Sequence, residues 1–464
     1  NNLLVVSNLL NLNNFNSTLD FEGLFADFCK GMDEVTSVPT SDQEMEEVPM
    51  VALTGFGRAG SLFLHSLIDG HPNVATLPGY FFKGWFGEGA WKVFTPNITN
   101  PHWRELLAST ICDHFEPQFN AHSKKNVIGR PNDHTDWLAD NLGFTKMGSD
   151  HSETLHLDQE LFKNHLVQLL QPYEYMNQKI CLALIHKAFD LAYRENTQPN
   201  GPHNKTIFYH IHNPNTFERA HFLYHYPKAK MLTIMRHPIQ MLESWMTIDK
   251  IRINAFTEEN DMWSKTTNAG NKIISLILHL HNPLTTMAEA RGVKLEDIKR
   301  NPKKTLPAIA NWIGVEDHSS LYKSEFLNRQ YSRPSASFDN ITGFDTRSID
   351  VPLGRVFNQK EIQILETLFW PVMKTYNYTD MTKQQFQKNL KVIRPWLNEP
   401  FQFEKDIYDT TSKKDTPLKE MDTYKALHQH LINAWETLDN TGTYPHIITP
   451  LSLDPKPLRG GRSL

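Results

Sequence analysis

The stretch VPMVALTGFGRAGSLFLHSLIDGHP, residues 48–72, decides the fold class of this chain. Its first nine residues are mostly apolar and end among glycines, which predicts a buried strand stopping near Gly55. From Ser61 onward apolar residues recur at helical spacing until Gly70, which predicts a helix. A strand, a glycine-rich turn and a helix in this order aim backbone N–H groups at an anion.

The glycines of this turn fit two phosphate-binding fingerprints, and neither is complete. Gly55, Gly57 and Gly60 spell the GxGxxG of dinucleotide sites, which require a carboxylate about 20 residues further on. The corresponding stretch, residues 71–82, contains no Asp or Glu. Gly55 and Gly60 also give the GxxxxG of a nucleotide P-loop, but Ser61 stands where that loop requires lysine. A turn that binds no ligand is the third interpretation.

Length and composition limit the kind of protein. With 464 residues the chain is long enough for one large domain or two ordinary ones, and its 39% hydrophobic and 21% charged content is that of a globular protein. The formal charge of −5 gives no general reason to expect a nucleic acid or an anionic membrane as partner. No apolar run approaches the about 18–20 residues of a membrane span. We therefore expect neither a nucleic-acid partner nor a membrane partner.

The cysteines and the opening segment bear on the compartment. Cys29, Cys112 and Cys181 are far apart and odd in number, which predicts neither a disulfide framework nor a zinc site. The opening NNLLVVSNLLNLNNF, residues 1–15, lacks the basic region of a signal peptide and is interrupted by asparagines. We expect a soluble cytoplasmic protein, with a trimmed Golgi-lumenal enzyme as the alternative, and either a monomer or a homodimer.

Strands and helices alternate beyond the opening unit. KTIFYHIHNP (205–214) and KAKMLTIM (228–235) predict two more buried strands, and GVKLEDI (292–298) is strand-like. A mostly helical insertion is expected over 85–200, and a later helix is expected to break at Trp370. This alternation predicts an α/β fold with a central parallel sheet flanked by helices.

The residues RAGS at 58–61 resemble the 5′-phosphosulfate loop of sulfotransferases that use 3′-phosphoadenosine 5′-phosphosulfate (PAPS). The resemblance implies a three-layer, P-loop-like fold. Amides at the start of the helix would hold the 5′-phosphate, and Arg58 would stabilise the charge that grows on the bridging oxygen. A sulfuryl donor has no β/γ-phosphate pair to hold, so neither a lysine nor a metal is expected. The loop residues implied to bind the donor are Arg58, Ala59, Gly60, Ser61 and Leu62.

A second motif supports the resemblance. In KAKMLTIMRHPIQMLESW a strand ends in Arg236, and Pro238 and Ser244 follow at the spacing of the family's 3′-phosphate motif. An arginine at a strand end can form a forked pair of bonds to a phosphate. Taken singly, a strand-end salt bridge explains Arg236 and an ordinary helical serine explains Ser244. Both motifs in the right order, each after a predicted buried strand, favour the family.

A third segment, residues 293–317, resembles a later strand and helix of the same family. With it the resemblance covers about 48–85 and 205–378. We therefore expect an N-terminal extension over 1–47, a sulfotransferase domain over 48–378 with its insertion on the acceptor side, and a helical or irregular C-terminal extension over 379–464.

The resemblance also implies a histidine general base. Many soluble members carry K-T-H-x-P about two dozen residues before the 3′-phosphate arginine, and here HIHNP puts His212 in that place, 24 residues before Arg236. The departure is His210, which replaces the lysine. Both histidines face the same side of the predicted strand, so either could be the base. Imidazole titrates near physiological pH, which suits the role.

Other candidates complete the implied site. Some members use a glutamate after the first helix, and the nearest carboxylate here is Glu88. His65, on the first helix, is expected to have a buried or capping role rather than a catalytic one. Gly354 and Arg355 are expected to belong to a C-terminal loop that closes on the 3′-phosphate. Either the acceptor pocket or the core would explain the insertion's aromatic residues Trp85, Trp91, Trp103 and Trp137.

The resemblance implies an enzyme that moves the sulfuryl group of PAPS to a hydroxyl or amine of a small-molecule or carbohydrate acceptor and releases adenosine 3′,5′-bisphosphate (PAP). Two other functions stay open from the residues themselves. One is a nucleotide kinase or NTPase with a degenerate P-loop, and the other is a non-catalytic binding protein on the same scaffold.

Overall fold

A central sheet of five parallel strands organises the chain. The computed structural model describes residues 21–35, 48–123, 139, 142–195, 205–214, 216–255, 262–333, 341–409 and 416–454. The strands are β1 (Met50–Gly55), β2 (Val74–Thr76), β3 (Thr206–His212), β4 (Lys230–Met235) and β5 (Glu289–Lys294). They lie in the order β2-β3-β1-β4-β5. Because all neighbours are parallel, their carboxyl ends meet at one edge of the sheet.

Helices cover both faces of this sheet. Successive strand residues point to opposite faces, and accordingly Met50 and Ala52 enter one core cluster while Val51 and Leu53 enter another. The fold is therefore a three-layer α/β fold, as predicted. The helices are α1 (Phe21–Val35), α2 (Ser61–Ile68), α3 (Ala90–Phe94), α4 (Trp103–His114), α5 (Glu116–Phe119), α6 (Gln159–Leu170), α7 (Gln178–Glu195), α8 (Thr216–His225), α9 (Pro238–Ala255), α10 (Met262–Leu280), α11 (Leu295–Arg300), α12 (Pro302–Ile313), α13 (Gln359–Leu368), α14 (Trp370–Thr375), α15 (Lys383–Ile393), α16 (Gln402–Asp409) and α17 (Asp422–Thr441).

Shorter elements complete the described part of the chain. Two antiparallel pairs join β6 (Glu325–Phe326) to β7 (Arg329–Gln330) and β8 (Ser332–Arg333) to β9 (Ile341–Thr342). The 3₁₀ turns are Phe81–Gly84, Pro283–Thr286, Ser319–Tyr322, Arg394–Asn398 and Leu418–Glu420.

Most predicted elements are confirmed, and one is wrong in part. The opening strand and helix are β1 and α2, and the insertion is mostly helical where it is described. The helix predicted to break at Trp370 does so between α13 and α14. The segment 292–298, predicted as strand-like, is strand only to Lys294 and then turns into α11. Its acidic residues lie in the first turn of α11, where the helix dipole favours negative charge.

The C-terminal segment extends the sheet beyond β5. The Gly292 N–H donates to the carbonyl of Thr449 (2.9 Å), and the Leu451 N–H donates to the carbonyl of Gly292 (2.7 Å). The hydroxyl of Tyr376, the residue directly after α14, donates to the carbonyl of Ile448 (2.8 Å). These bonds pair the C-terminal segment with β5 at Gly292, which occupies part of an edge that could otherwise pair with another chain.

We expect Gly292→Ala to destabilise the protein. A Cβ at this position would lie 1.8 Å from the Tyr376 hydroxyl oxygen, so the ring must move. Overpacking of this kind costs about 1–3 kcal/mol in the free energy of unfolding, measurable by urea denaturation. Tyr376→Phe alone should cost about 1 kcal/mol for the lost hydrogen bond. The double variant should lose less free energy of unfolding than the sum of the two single losses, because the shorter Phe side chain relieves the overlap. Strictly additive losses would contradict the close contact.

Candidate active site

The turn between β1 and α2 has a backbone shape that few sequences adopt. Arg58 has φ 73° and Gly60 has φ 95°, both in the left-handed region. At Gly60 a Cβ would also lie 2.7 Å from Leu295 Cδ1, so glycine is needed for conformation and for space. The N-cap residue of α2 is Gly60, which has no side chain to cap the first turn. The amides of that turn are therefore suited to an external anion.

Two residues from neighbouring elements hold this turn in place. The Gly57 N–H donates to Asn213 Oδ1 (2.5 Å), and Asn213 directly follows β3. The Trp245 Nε1–H, on α9, donates to the carbonyl of Gly57 (2.9 Å). A Cβ on Gly57 would lie 2.3 Å from the Trp245 ring. The sequence singled out neither Asn213 nor Trp245, because both act through contacts between distant segments.

The two predicted phosphate motifs lie next to each other. Arg58 Nε donates to Ser244 Oγ (3.0 Å), which joins the turn to α9. The Arg236 Nη1 donates to the carbonyl of Arg58 (3.1 Å), and the Arg236 Nη2 donates to the carbonyl of Ser348. These contacts join Arg58, Ser244 and Arg236 into one connected group, although the residues lie up to 186 positions apart in the sequence.

Arg236 is a buried cation with donor capacity to spare. It is 6% exposed, and burial lowers the pKa of its guanidinium to about 10, so the group stays charged at neutral pH. Glu296 opposes this shift and Arg355 adds to it, which puts the Arg355 charge near Arg236. Within the described part of the chain, the Arg236 Nε is buried without a hydrogen-bond partner. A buried donor left unpaired is costly, and an anion would satisfy it.

The predicted loop residues Gly354 and Arg355 are fastened to α9 by Glu243, which the sequence analysis missed. Glu243 is fully buried, and its Oε1 accepts the N–H groups of Gly354 (2.9 Å), Val356 (3.1 Å) and Phe357 (3.4 Å). Arg355 Nε lies 3.6 Å from Glu243 Oε2. No sequence signal pointed to this contact, because Glu243 stands among other polar residues of the helix, Gln240 and Thr247.

The two candidate histidines differ in environment. His212 is half-buried at the end of β3, with its Nδ1 3.3 Å from Ser61 Oγ. The ring of Tyr80 stacks on it with centroids 4.1 Å apart. His210 is 4% exposed, its Nδ1 lies 3.3 Å from His65 Nδ1, and burial lowers its pKa to about 3. His65 is fully buried, as expected.

The remaining candidates contribute less. Glu88 is exposed. Trp85 and Trp103 are buried in a core cluster and Trp91 packs against it, which favours the core interpretation, while Trp137 lies outside the described residues. Across the described ranges, no group of three or more His, Cys, Asp or Glu side chains could hold a metal ion. In the same ranges, no helix combines the length and apolar character needed to cross a membrane.

Comparison with known proteins identifies the class. Residues 49–319 match the model of a family described as the sulfotransferase family. The match spans more than half of the chain, and the chain therefore belongs to the sulfotransferase family. The resemblance found in the residues at 58–61 and 236–244 is thus confirmed at the level of the family.

Two solved structures are similar to the chain. The sulfotransferase domain from the Synechococcus PCC 7002 olefin synthase is 15% identical with a TM-score of 0.37, over 71% of this chain and 97% of that domain. The sulfotransferase domain from the curacin biosynthetic pathway is 13% identical with a TM-score of 0.31, over 70% of this chain and 99% of that domain. Neither likeness, at these TM-scores, bears on function. No curated protein matches the chain.

The burial of His210 predicts a pH dependence of stability. Its pKa is about 3 in the folded chain against an ordinary 6.5. Because the folded pKa is the lower one, the stability tied to neutral His210 is complete above pH 6.5 and is lost as the pH falls toward 3. Urea denaturation across this range should show that the free energy of unfolding falls less steeply with decreasing pH in His210→Asn than in the wild type. His102→Asn, at an exposed histidine, is the matched control, and equal slopes for all three would contradict a buried neutral His210.

Proposed function

We propose that the chain transfers the sulfuryl group of PAPS to a hydroxyl or amine of a small-molecule or carbohydrate acceptor and releases PAP. Family membership supports sulfuryl transfer in general. The observation that supports the donor assignment is the connected group of Arg58, Ser244 and Arg236, in which the buried Arg236 Nε has no hydrogen-bond partner among the described residues. A donor with phosphates at both the 5′ and 3′ positions requires two such anion sites.

The residues present fit this donor. The uncapped first turn of α2 would hold the 5′-phosphate with the amides of Gly60, Ser61 and Leu62. Arg236 and Ser244 would hold the 3′-phosphate, with Arg355 joining from its loop. The donor supplies an SO₃ group on a phosphate oxygen that can leave. No metal is assigned, because there is no second phosphate on the 5′ side for a metal to bridge.

The chain's own residues would then position charges and move one proton. His212 would take the proton of the acceptor O–H or N–H as the acceptor atom bonds to sulfur. The bond between sulfur and the bridging oxygen breaks, and Arg58 would stabilise the negative charge left on the phosphate. The buried, low-pKa environment of His210 makes it a weaker candidate for this proton than the half-buried His212. We propose that the insertion, residues 85–200, forms the acceptor side.

The donor assignment predicts that the protein binds PAP in the absence of Mg²⁺. Arg236→Lys keeps the charge but removes the forked geometry, so we expect about tenfold weaker binding or worse by calorimetry. Arg104→Lys is the matched control, because Arg104 also donates to backbone carbonyls, those of Leu170 and Tyr173. A wild-type chain that does not bind PAP, or binds nucleoside triphosphates with Mg²⁺ instead, would contradict the proposal.

The base assignment predicts a loss of turnover without a loss of donor binding. In His212→Asn we expect kcat to fall by about 10²–10⁴ while the Kd for PAP stays within about twofold. Transfer of ³⁵S from PAPS to a metabolite extract measures the rate without a prior choice of acceptor. His114→Asn, at a half-buried histidine of α4, should retain the wild-type rate. Full activity in His212→Asn would reject this base, and a wild type that binds PAP but sulfates nothing would favour a binding protein.

A further inference from the structure

The ring of Tyr80 lies flat on the imidazole of His212. The two centroids are 4.1 Å apart and the ring planes differ by 5°. We propose that Tyr80 is a positioning residue that holds His212 in the orientation and tautomer required for proton transfer. This inference rests on the proposed role of His212 as the base.

His212 needs such support because of where it lies. It is the last residue of β3, and Asn213 follows it with φ 51°, so the backbone leaves the sheet at this point. An aromatic ring at a strand end has a neighbouring strand residue on one side only. Here the imidazole is bounded on three sides: by the Tyr80 face, by Ser61 Oγ at Nδ1, and by the edge of His210, 5.7 Å away with the planes at 85°.

The contact with Ser61 determines which nitrogen can accept a proton. When Nδ1 donates to Ser61 Oγ, the lone pair of the neutral imidazole is on Nε2. The serine hydroxyl can then donate its own hydrogen toward the donor's phosphate. If the ring turned about its bond to Cβ, Nδ1 would leave Ser61. The link between the base and residues 56–61, here called the donor loop, would then be lost. The stack on Tyr80 resists this turn, because rotation would break the parallel contact of the two rings.

Tyr80 also makes contacts within its own segment of the chain. It follows Gly79, whose φ of 82° and a Cβ position 2.8 Å from Phe144 Cε2 both require glycine. Its carbonyl accepts the N–H of Lys83 (3.1 Å) at the start of a 3₁₀ turn. The Lys83 ammonium lies 5.4 Å from the centre of the Tyr80 ring. The ring that supports His212 is thus fixed by the backbone shape of the segment after β2.

Since Tyr80 covers one face of His212, the acceptor must approach from the opposite face or from the Nε2 edge. The consequence for chemistry is a requirement on shape: the reacting oxygen or nitrogen must reach into the plane of the imidazole past the donor loop. Preorganisation of this kind acts on the rate of the chemical step rather than on the binding of the donor.

The test compares Tyr80→Leu with Tyr80→Phe, which keeps the stack but lacks the hydroxyl. We expect Tyr80→Leu to reduce kcat for ³⁵S transfer to a metabolite extract by about tenfold or more, with the KM for PAPS within about twofold. Tyr80→Phe should stay within about threefold of the wild type. The matched control is Tyr424→Leu, because Tyr424 stacks on His428 with centroids 3.9 Å apart, and it should leave kcat unchanged.

A spectroscopic readout separates positioning from a general loss of structure. Nitrogen-15 spectra of histidine-labelled, ligand-free protein, with His212 assigned from His212→Asn, report the tautomer directly. We expect the Nδ1–H form in the wild type and in Tyr80→Phe, and a shift toward the Nε2–H form in Tyr80→Leu.

Three results would overturn the inference: an unchanged His212 tautomer and kcat in Tyr80→Leu, an equal loss in Tyr80→Phe, or an Nε2–H tautomer in the wild type. Failure of the proposed function is distinguishable from these. It would appear as no PAP binding by the wild type, or as full transfer by His212→Asn, whatever the state of the Tyr80 stack.

Discussion

A hydrogen bond from the Arg236 guanidinium to the carbonyl of Arg58 joins the carboxyl ends of two neighbouring strands (3.1 Å). β1 and β4 lie side by side, so the turn that leaves one strand passes the arginine that ends the other. That turn holds Arg58 at a positive φ, which costs about 1–3 kcal/mol for a residue other than glycine and must be stabilised by its surroundings. Asn213 and Trp245 add two more bonds to the same turn. The shape of this turn, the proposed donor loop, and with it the direction of the α2 amides, depends on these contacts.

The same arrangement fixes the distance between the donor loop and the proposed base. Gly55 and His212 are partners in the register of β1 and β3, so the donor loop and the histidine start from one level of the sheet. The Ser61 hydroxyl, in the first turn of α2, lies 3.3 Å from His212 Nδ1. On the far side of the loop, Glu243 holds the segment that carries Arg355. The cations Arg58, Arg236 and Arg355 lie at this edge although the chain has a net charge of −5, and such a local concentration of positive charge would suit the proposed donor.

Local patterns were enough to predict the fold class and the two anion motifs. The alternation of apolar runs, glycine turns and helical repeats predicts the parallel sheet, because each signal lies within about ten residues. The prediction of a strand over 292–298 was wrong after Lys294, because a short apolar run with acidic residues suits the start of a helix equally well. Sequence patterns could not predict the contacts made by four other residues, because these contacts form only when segments up to 188 positions apart meet. The residues are Asn213, Trp245, Glu243 and Tyr80. The distinction between His210 and His212 likewise depends on burial, which residue spacing does not give.

A crystal structure of the protein with PAP would show most directly whether Arg58, Ser244 and Arg236 belong to one donor site. The 5′-phosphate should lie against the amides of Gly60, Ser61 and Leu62. The 3′-phosphate should lie against the Arg236 Nε and the Ser244 hydroxyl. The His212 imidazole should face the 5′ end. A nucleotide bound elsewhere, or bound with its 3′-phosphate away from Arg236, would contradict the account.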